Sequence, residues 1–443
     1  MRLEEARARL RVLQDLPAPR DRRLREHASG PVPTPLYAVW EITLACDQRC
    51  VHCGSRAGKA RKDELTTQEC LDVARQLGEL GVGEVTLIGG EAYLRNDFIL
   101  IVGELRAHGM SVTMTTGGLN LTQARVDALK DAGIRSISIS LDGLAQAHDE
   151  LRGVPGSHDK ALEALARVRA AGIPVAVNTQ INRRTLPDLP ALLERIAEAG
   201  AFGWQLQITS PFGNAADRPD ILLQPYMMLE VYDVLRDVLQ RARALRMKMW
   251  PGNNLGYFGP LEAELRSVQK RHYKGCAAGR LQLGIEAHGD VKGCPSLGGP
   301  ENVGGNVREH RIADIWARAA ELAYVRERTT DALWGYCAQC YYADTCRGGC
   351  TATAEPLMGR PGNNPFCHHR ALEMDRLGQR ERIEQVAAAP GVPFDHGLYR
   401  IVREWVDPRR REAEGPVAID EPRVSRVHEP TGAGRAVDSD SRR

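Results

Sequence analysis

The residues with the most evident chemistry in this chain are its cysteines. Three of them, Cys46, Cys50 and Cys53, stand in the segment WEITLACDQRCVHCGSRAG with the spacing C-x3-C-x2-C. Three thiolates on one short loop hold three corners of a [4Fe–4S] cube and leave the fourth iron without a protein ligand. An open position of that kind marks a reactive site, as it does in catalytic metal centres. The competing reading is a zinc knuckle. It needs a fourth ligand, and His52, wedged between Cys50 and Cys53, would strain the loop. Seven more cysteines fall between residues 276 and 367. Cys276 and Cys294 bracket CAAGRLQLGIEAHGDVKGC, and Cys337, Cys340, Cys346 and Cys350 share CAQCYYADTCRGGC, with Cys367 beyond. Seven thiolates on short loops are too many for one zinc and suit two polynuclear centres. Cys70, in TTQECLDVARQL, falls on a helix face with Leu71 and Ala74 and reads as a buried, inert thiol.

The rest of the composition narrows the setting. The 443 residues allow two or three domains, and 43% hydrophobic residues supply sizeable cores. Lys plus Arg number 59 and Asp plus Glu 57, a net charge of +2, which argues against a nucleic-acid partner held by bulk charge. No run of 18 apolar residues exists, so no membrane-spanning helix is expected. The N-terminal MRLEEARARLRVLQDL lacks the apolar core of a secretory signal, so a cytoplasmic location is expected. Thiols stay reduced there, so the ten clustered cysteines of the eleven read as metal or iron–sulfur ligands.

The elements that must position these cysteines alternate. Short stretches rich in Val, Ile and Thr predict strands at Ala38–Leu44, Glu84–Ile88, Ser111–Thr115, Arg135–Leu141, Pro174–Ile181 and Gly203–Thr209. Helical patterns lie between them, as at Thr67–Glu79, Leu121–Ala132 and Asp159–Ala171. Six βα units in a row predict an α/β fold with a parallel sheet, closed or partly closed as a barrel. The first cysteine loop then follows strand one, at the face where barrel enzymes place their sites. The expected divisions are an N-terminal extension at 1–35, the barrel at 36–244, and a loop-like connector at 245–275. A cysteine-rich domain follows at 276–370, a helical segment at 371–406 with a helix at about His368–Val386, and a disordered tail at 407–443.

The C-x3-C-x2-C loop after strand one resembles the radical S-adenosylmethionine (SAM) superfamily. The resemblance implies a partial (β/α)6 TIM barrel. It also implies a [4Fe–4S] cluster whose open iron is chelated by the methionyl group of SAM. One electron cleaves SAM to a 5′-deoxyadenosyl radical that abstracts a hydrogen atom. LIGGEAYLR, with Gly89, Gly90 and Glu91, resembles the GGE motif that holds the SAM amino group; its usual following proline is Ala92. By the same resemblance His52 lies near the adenine, Thr115 ends strand three, Ser140 contacts the SAM ribose or carboxylate, and Arg152 meets the carboxylate. The family's T-N-G becomes Thr116, Gly117 and Gly118. Asn178 and Gln180 on strand five, and Gln205 and Gln207 on strand six, are polar residues on apolar strands. They face the barrel lumen, either as ligand contacts or as a self-satisfied polar layer.

The seven later cysteines match the SPASM extension of this superfamily, which carries two auxiliary [4Fe–4S] clusters. The resemblance assigns Cys276, Cys294 and Cys350 to one and Cys337, Cys340, Cys346 and Cys367 to the other. IEAHGDVKGC resembles the family's β-hairpin. The implied function is a maturase of ribosomally made peptides, similar to the mycofactocin type, which oxidises a substrate radical through the auxiliary clusters. A precursor peptide, a separate peptide-recognition protein and a reductant such as flavodoxin or ferredoxin are the implied partners, with neither nucleic acid nor membrane. Sulfatase-type maturases carry an Asp directly after the second auxiliary cysteine, where this chain has Pro295. A bare iron–sulfur electron carrier would need neither GGE nor an open three-cysteine cluster.

Overall fold

The computed structural model describes residues 31–269 and 272–423. Seven parallel strands follow one another across one sheet: β1 (Tyr37–Glu41), β2 (Glu84–Ile88), β3 (Ser111–Thr116), β4 (Ser136–Ser140), β5 (Val175–Ile181), β6 (Gly203–Ile208) and β7 (Lys248–Pro251). On the far side of β1 the sheet continues with β8 (Gln282–Ile285), which is parallel to β1. The hairpin partners β9 (Asp290–Lys292) and β10 (Val303–Asn306) finish that edge. The six expected barrel strands are therefore present, with boundaries moved by up to three residues, inside a ten-stranded sheet.

Strand alternation decides what faces the lumen. In β1, Ala38 and Trp40 are fully buried against the outer helices, while Tyr37, Val39 and Glu41 point the other way, into the cavity. The helices bury one stripe against the sheet. Thr67–Glu79 is typical: Cys70, Val73, Ala74 and Leu77 recur at helical spacing and are all buried. Thr66 and Glu69 close a capping box at its start. Cys70 is thus a core residue, as its spacing predicted, with its thiol 3.9 Å from the Leu65 carbonyl.

Three expectations need correction. The connector at 245–275 is not all loop: Lys248–Pro251 pairs parallel with β6, and Trp250 packs edge-on against Phe202 at 5.8 Å. Trp250 lies over Gly203, where any Cβ would meet the ring at 2.0 Å. The helix expected to reach Val386 stops at Arg376. Gly378, at φ 68°, turns the chain into β11 (Gln379–Ala387), which pairs antiparallel with β12 (Leu398–Trp405). QRERIEQVA consists largely of helix formers. Tertiary partners override that propensity through a cross-strand ladder. Arg380 and Arg382 bond Glu404, Arg400 bonds Glu384, and Glu381 joins Arg370 and Arg403. The tail expected to be disordered from 407 is ordered through 423. Asp407 caps the helix Pro408–Glu414, and β13 (Val417–Asp420) adds to β12. The remainder, 424–443, and residues 1–30 of the expected N-terminal extension lie outside the described residues. Among the described residues no helix is long and apolar enough to cross a membrane.

Candidate functional site

The cysteine loop leaves β1 and is pinned from several directions. Glu64 accepts the Leu44 amide at 2.8 Å and the Arg61 amide at 3.0 Å. Within the loop, the Cys46 amide donates to Gly58 O at 3.1 Å and the Gly58 amide to Leu44 O at 2.9 Å. The end of the helix Ala145–Arg152 supports its far side, through Arg49 N to Arg152 O and Val51 N to Leu151 O. Gly89 and Gly90, at the end of β2, pack directly beneath it. A Cβ on Gly90 would lie 2.1 Å from Ala45 O, and one on Gly89 2.5 Å from Thr43 O. These glycines therefore make room for the cysteine loop, and both also line the cavity above it.

A cavity of about 520 Å³ opens over this loop. It is lined by Cys46, Cys50 and Cys53 on one side and Cys276, Cys294 and Cys350 on another. His52, Gly89, Gly90, Glu91, Thr115, Ser140, Arg152 and Asn178 all face it, as do Gln180, Gln205 and Gln207. Cys337, Cys340, Cys346 and Cys367 line a separate pocket with Tyr257 and Phe258. Six of the ten clustered cysteines thus share one cavity and the other four share a second pocket. Among the described residues no three His, Cys, Asp or Glu side chains are close enough to share a single metal ion. Burial pushes the Cys46 thiol up to about 12 and the Cys50 and Cys276 thiols up to about 11. Thiols so placed stay protonated until a metal takes their electron pairs, so loading these sites releases protons.

The polar groups around the cavity fit a zwitterionic, cationic ligand. Glu91 is 2% exposed; its carboxyl accepts bonds from Thr116 Oγ1 and, at 2.6 Å, from the Gly117 amide. Burial raises it to about 7, against those two hydrogen bonds and with Asp47 adding to the rise. A desolvated carboxyl that bonds no cation matches an ammonium group. Gly117 stands where the family has Asn, and the end of the Gln48 side chain occupies the space a Cβ would take there, 2.3 Å from Oε1. Asn178 donates to Thr115 Oγ1 at 3.5 Å and leaves its own oxygen buried without a partner. The deeper layer is self-satisfied: Tyr37 OH, Thr86 Oγ1 and Thr113 Oγ1 link at 2.7 and 2.6 Å.

Asp142 organises this wall and was passed over by the sequence reading, which took Ser140 as the contact of SISLDG. It is fully buried, 3.1 Å from His52 Nε2 and 2.5 Å from Arg152 Nη2, and it accepts the Gln180 amide at 2.7 Å. Burial alone would raise its carboxyl, but Arg152, His52 and the Gln180 amide hold it well below the usual carboxylate range. Arg152 is thereby aimed past Asp142 at the cysteine loop, its Nη1 3.7 Å from Cys50 Sγ. A second unforeseen clamp closes the loop from outside. Arg56 bonds Asp395 at 2.7 Å, Asp217 at 2.6 Å and Asn214 at 3.0 Å, and Asn214 donates to Cys50 O at 2.8 Å. Asp395 is buried and also accepts the Val392 amide, so Asp395→Ala strands part of Arg56. That variant is expected to lose about 3 kcal/mol in denaturant unfolding and to shed iron on desalting. Asp217→Asn, whose carboxylate is half exposed, should lose under about 1 kcal/mol.

The family follows from this site and from comparison with known proteins. The radical SAM superfamily model matches residues 40–196, and the SPASM iron–sulfur cluster-binding domain model matches 276–341. The chain belongs to the radical SAM superfamily, in the branch with a SPASM domain, and is an enzyme that uses SAM and iron–sulfur clusters. Mycofactocin maturase MftC of Mycobacterium tuberculosis (strain CDC 1551 / Oshkosh) is 32% identical over 353 residues, covering 78% of this chain and 86% of that protein. The AdoMet-dependent heme synthase of Methanosarcina barkeri (strain Fusaro / DSM 804) is 28% identical over 351 residues, covering 76% and 97%. Two solved structures share the fold. Streptococcus suis SuiB bound to precursor peptide SuiA has a TM-score of 0.60 at 17% identity, covering 82% of this chain and 86% of that one. AnSMEcpe with bound AdoMet has a TM-score of 0.62 at 14% identity, covering 76% and 96%.

Proposed function

We propose that this enzyme is a maturase of a ribosomally made peptide, which it oxidises in the cavity between the Cys46 loop and the Cys276 group. The observation that carries this reading is the 32% identity to a mycofactocin maturase over 78% of the chain. In this reading Cys46, Cys50 and Cys53 hold the catalytic [4Fe–4S] cluster. Cys276, Cys294 and Cys350 hold one auxiliary cluster, and Cys337, Cys340, Cys346 and Cys367 hold the other. When bound, the catalytic cluster and SAM supply a carbon-centred radical that takes a hydrogen atom from the substrate. The chain's own residues orient and enclose. Glu91 holds the SAM ammonium, and Arg152, steadied by Asp142, puts positive charge beside the cysteine loop and the SAM carboxylate. Ser140, Thr115, Asn178 and His52 complete the wall, and Phe212 and Phe394 add apolar lining.

Glu91→Gln should weaken SAM binding about tenfold or more, since a charge-assisted bond contributes ~1.5–3 kcal/mol, with iron content unchanged. The same contact sets a pH dependence. Glu91 protonates below about 7 and then offers no charge to an ammonium, so SAM affinity in the wild type should fall as pH drops through about 7. In Glu91→Gln that slope should vanish. Equilibrium dialysis of SAM across pH checks both.

A second reading, a heme-synthase-type activity, is favoured by the 28% identity to an AdoMet-dependent heme synthase across 97% of that protein. Coexpression with the short peptides encoded beside the gene, followed by mass spectrometry, tests the first reading. A peptide altered only when the intact enzyme is present supports it. Turnover of a porphyrin haem precursor, with every such peptide unchanged, overturns it in favour of the second.

A further inference from the structure

Glu41 is the last residue of β1, and its side chain enters the cavity with Tyr37 and Val39. It is 3% exposed, and neither carboxyl oxygen has a hydrogen-bond partner of normal geometry. Three carboxyl side chains line this cavity: Glu41, Glu91 and Asp142. Glu91 is held by Thr116 and Gly117, and Asp142 by His52, Arg152 and Gln180. Glu41 alone is uncommitted. A buried carboxyl without partners destabilises the fold, and a Gln or Leu would cost less at this position. Such groups concentrate where chemistry uses them.

Its surroundings come from the SPASM side of the sheet. Trp40 pairs with Ile285, which sets Glu41 beside Glu286. Glu286 is bonded to Lys292 at 2.6 Å and to Arg61 at 2.9 Å. Beyond it His288 lies 3.1 Å from Asp290, both partly open to solvent. Glu286, Lys292 and Arg61 are the charged groups that act on Glu41, together with the Ala287 amide. Burial, the largest influence, raises the Glu41 carboxyl to about 8; Glu286 adds to the rise, and Lys292, Arg61 and the Ala287 amide oppose it.

We propose that Glu41 is the proton acceptor of the oxidative half-reaction, taking the proton that the substrate radical releases as its electron leaves. The proposal rests on the oxidative reading above. The balance is complete. The substrate C–H hydrogen goes as an atom to the 5′-deoxyadenosyl group derived from SAM. The electron of the remaining radical would go to an auxiliary iron–sulfur cluster held by Cys276, Cys294 and Cys350, whose thiols line the same cavity. The proton goes to the Glu41 carboxylate, and the substrate gains one new π or σ bond.

The test compares wild type, Glu41→Gln and Glu41→Asp, all loaded with clusters. Infrared difference spectra across pH need no substrate. A Glu41-dependent carboxyl band that ionises near pH 8 supports the proposal, and one that ionises in the ordinary carboxylate range overturns it. With substrate, Glu41→Gln should form product about 10²–10⁴-fold more slowly, and 5′-deoxyadenosine released per product should rise. Wild-type product formation should increase as pH rises through about 8, the range in which the carboxylate forms, and Glu41→Gln should lose that rise. Glu41→Asp should recover part of the rate. Unchanged product formation with an unchanged pH profile in Glu41→Gln overturns the proposal. If the porphyrin rather than the peptide is turned over, the peptide reading fails alone, and the same comparison is made on the porphyrin.

Discussion

Replacing Cys46, Cys50 and Cys53 together with alanine should remove about four of about twelve irons, one cubane of three, and abolish SAM cleavage entirely. The expectation is this sharp because the three thiols share one loop and nothing else lining the cavity can replace them. The other cavity thiols belong to Cys276, Cys294 and Cys350, which come from outside that loop. Fold damage should be small. The loop is held by backbone bonds to Leu44, Gly58, Leu151 and Arg152 and by the Arg56 clamp, none of which uses a thiol. Iron assay and chromatography of 5′-deoxyadenosine check it under strict anaerobiosis. Persistent SAM cleavage in the triple variant would contradict the assignment of the catalytic cluster.

The second large effect separates the two cluster domains. Cys294→Ala and Cys340→Ala should each still yield 5′-deoxyadenosine under artificial reduction, because SAM cleavage needs only the Cys46 loop and the walls around it. Modified product should fall to little or none, because loss of one thiolate breaks or detunes an auxiliary cluster through its ligand set and burial. Cys294 lines the substrate cavity, whereas Cys340 lies in the pocket beside Phe258 and Tyr342. Loss of product in both variants would therefore reflect electron transfer rather than substrate contact alone. Metal binding is coupled to folding in such domains, so circular dichroism of the soluble variants must first match wild type. Well-folded variants that form product at the wild-type rate would make the auxiliary clusters scaffolding.

What could be read from the sequence was local. The C-x3-C-x2-C loop, the GGE turn and the six barrel strands each declare themselves within about ten residues, and all appear close to where they were expected. The hidden features have distant partners. Arg56 meets Asp395 across 339 positions, and its identity carries no sign of that contact. Asp142 has no neighbour in sequence that reveals its role; the fold brings His52 and Arg152 to it. Glu41 stood in plain view five residues before Cys46. Only the pairing of β1 with β8 shows its carboxyl buried and without a bond. The C-terminal sheet was misread for the same reason. QRERIEQVA has the composition of a helix, and only the facing Arg403 and Glu404 make it a strand.

The most direct measurement is the isotopic composition of the 5′-deoxyadenosine formed when the reduced enzyme meets SAM and a precursor peptide built from perdeuterated amino acids. The account predicts that deuterium appears in the 5′-deoxyadenosine in step with the modified peptide, because the hydrogen atom is taken from the peptide inside the cavity. Modified peptide accompanied by 5′-deoxyadenosine free of deuterium would contradict it.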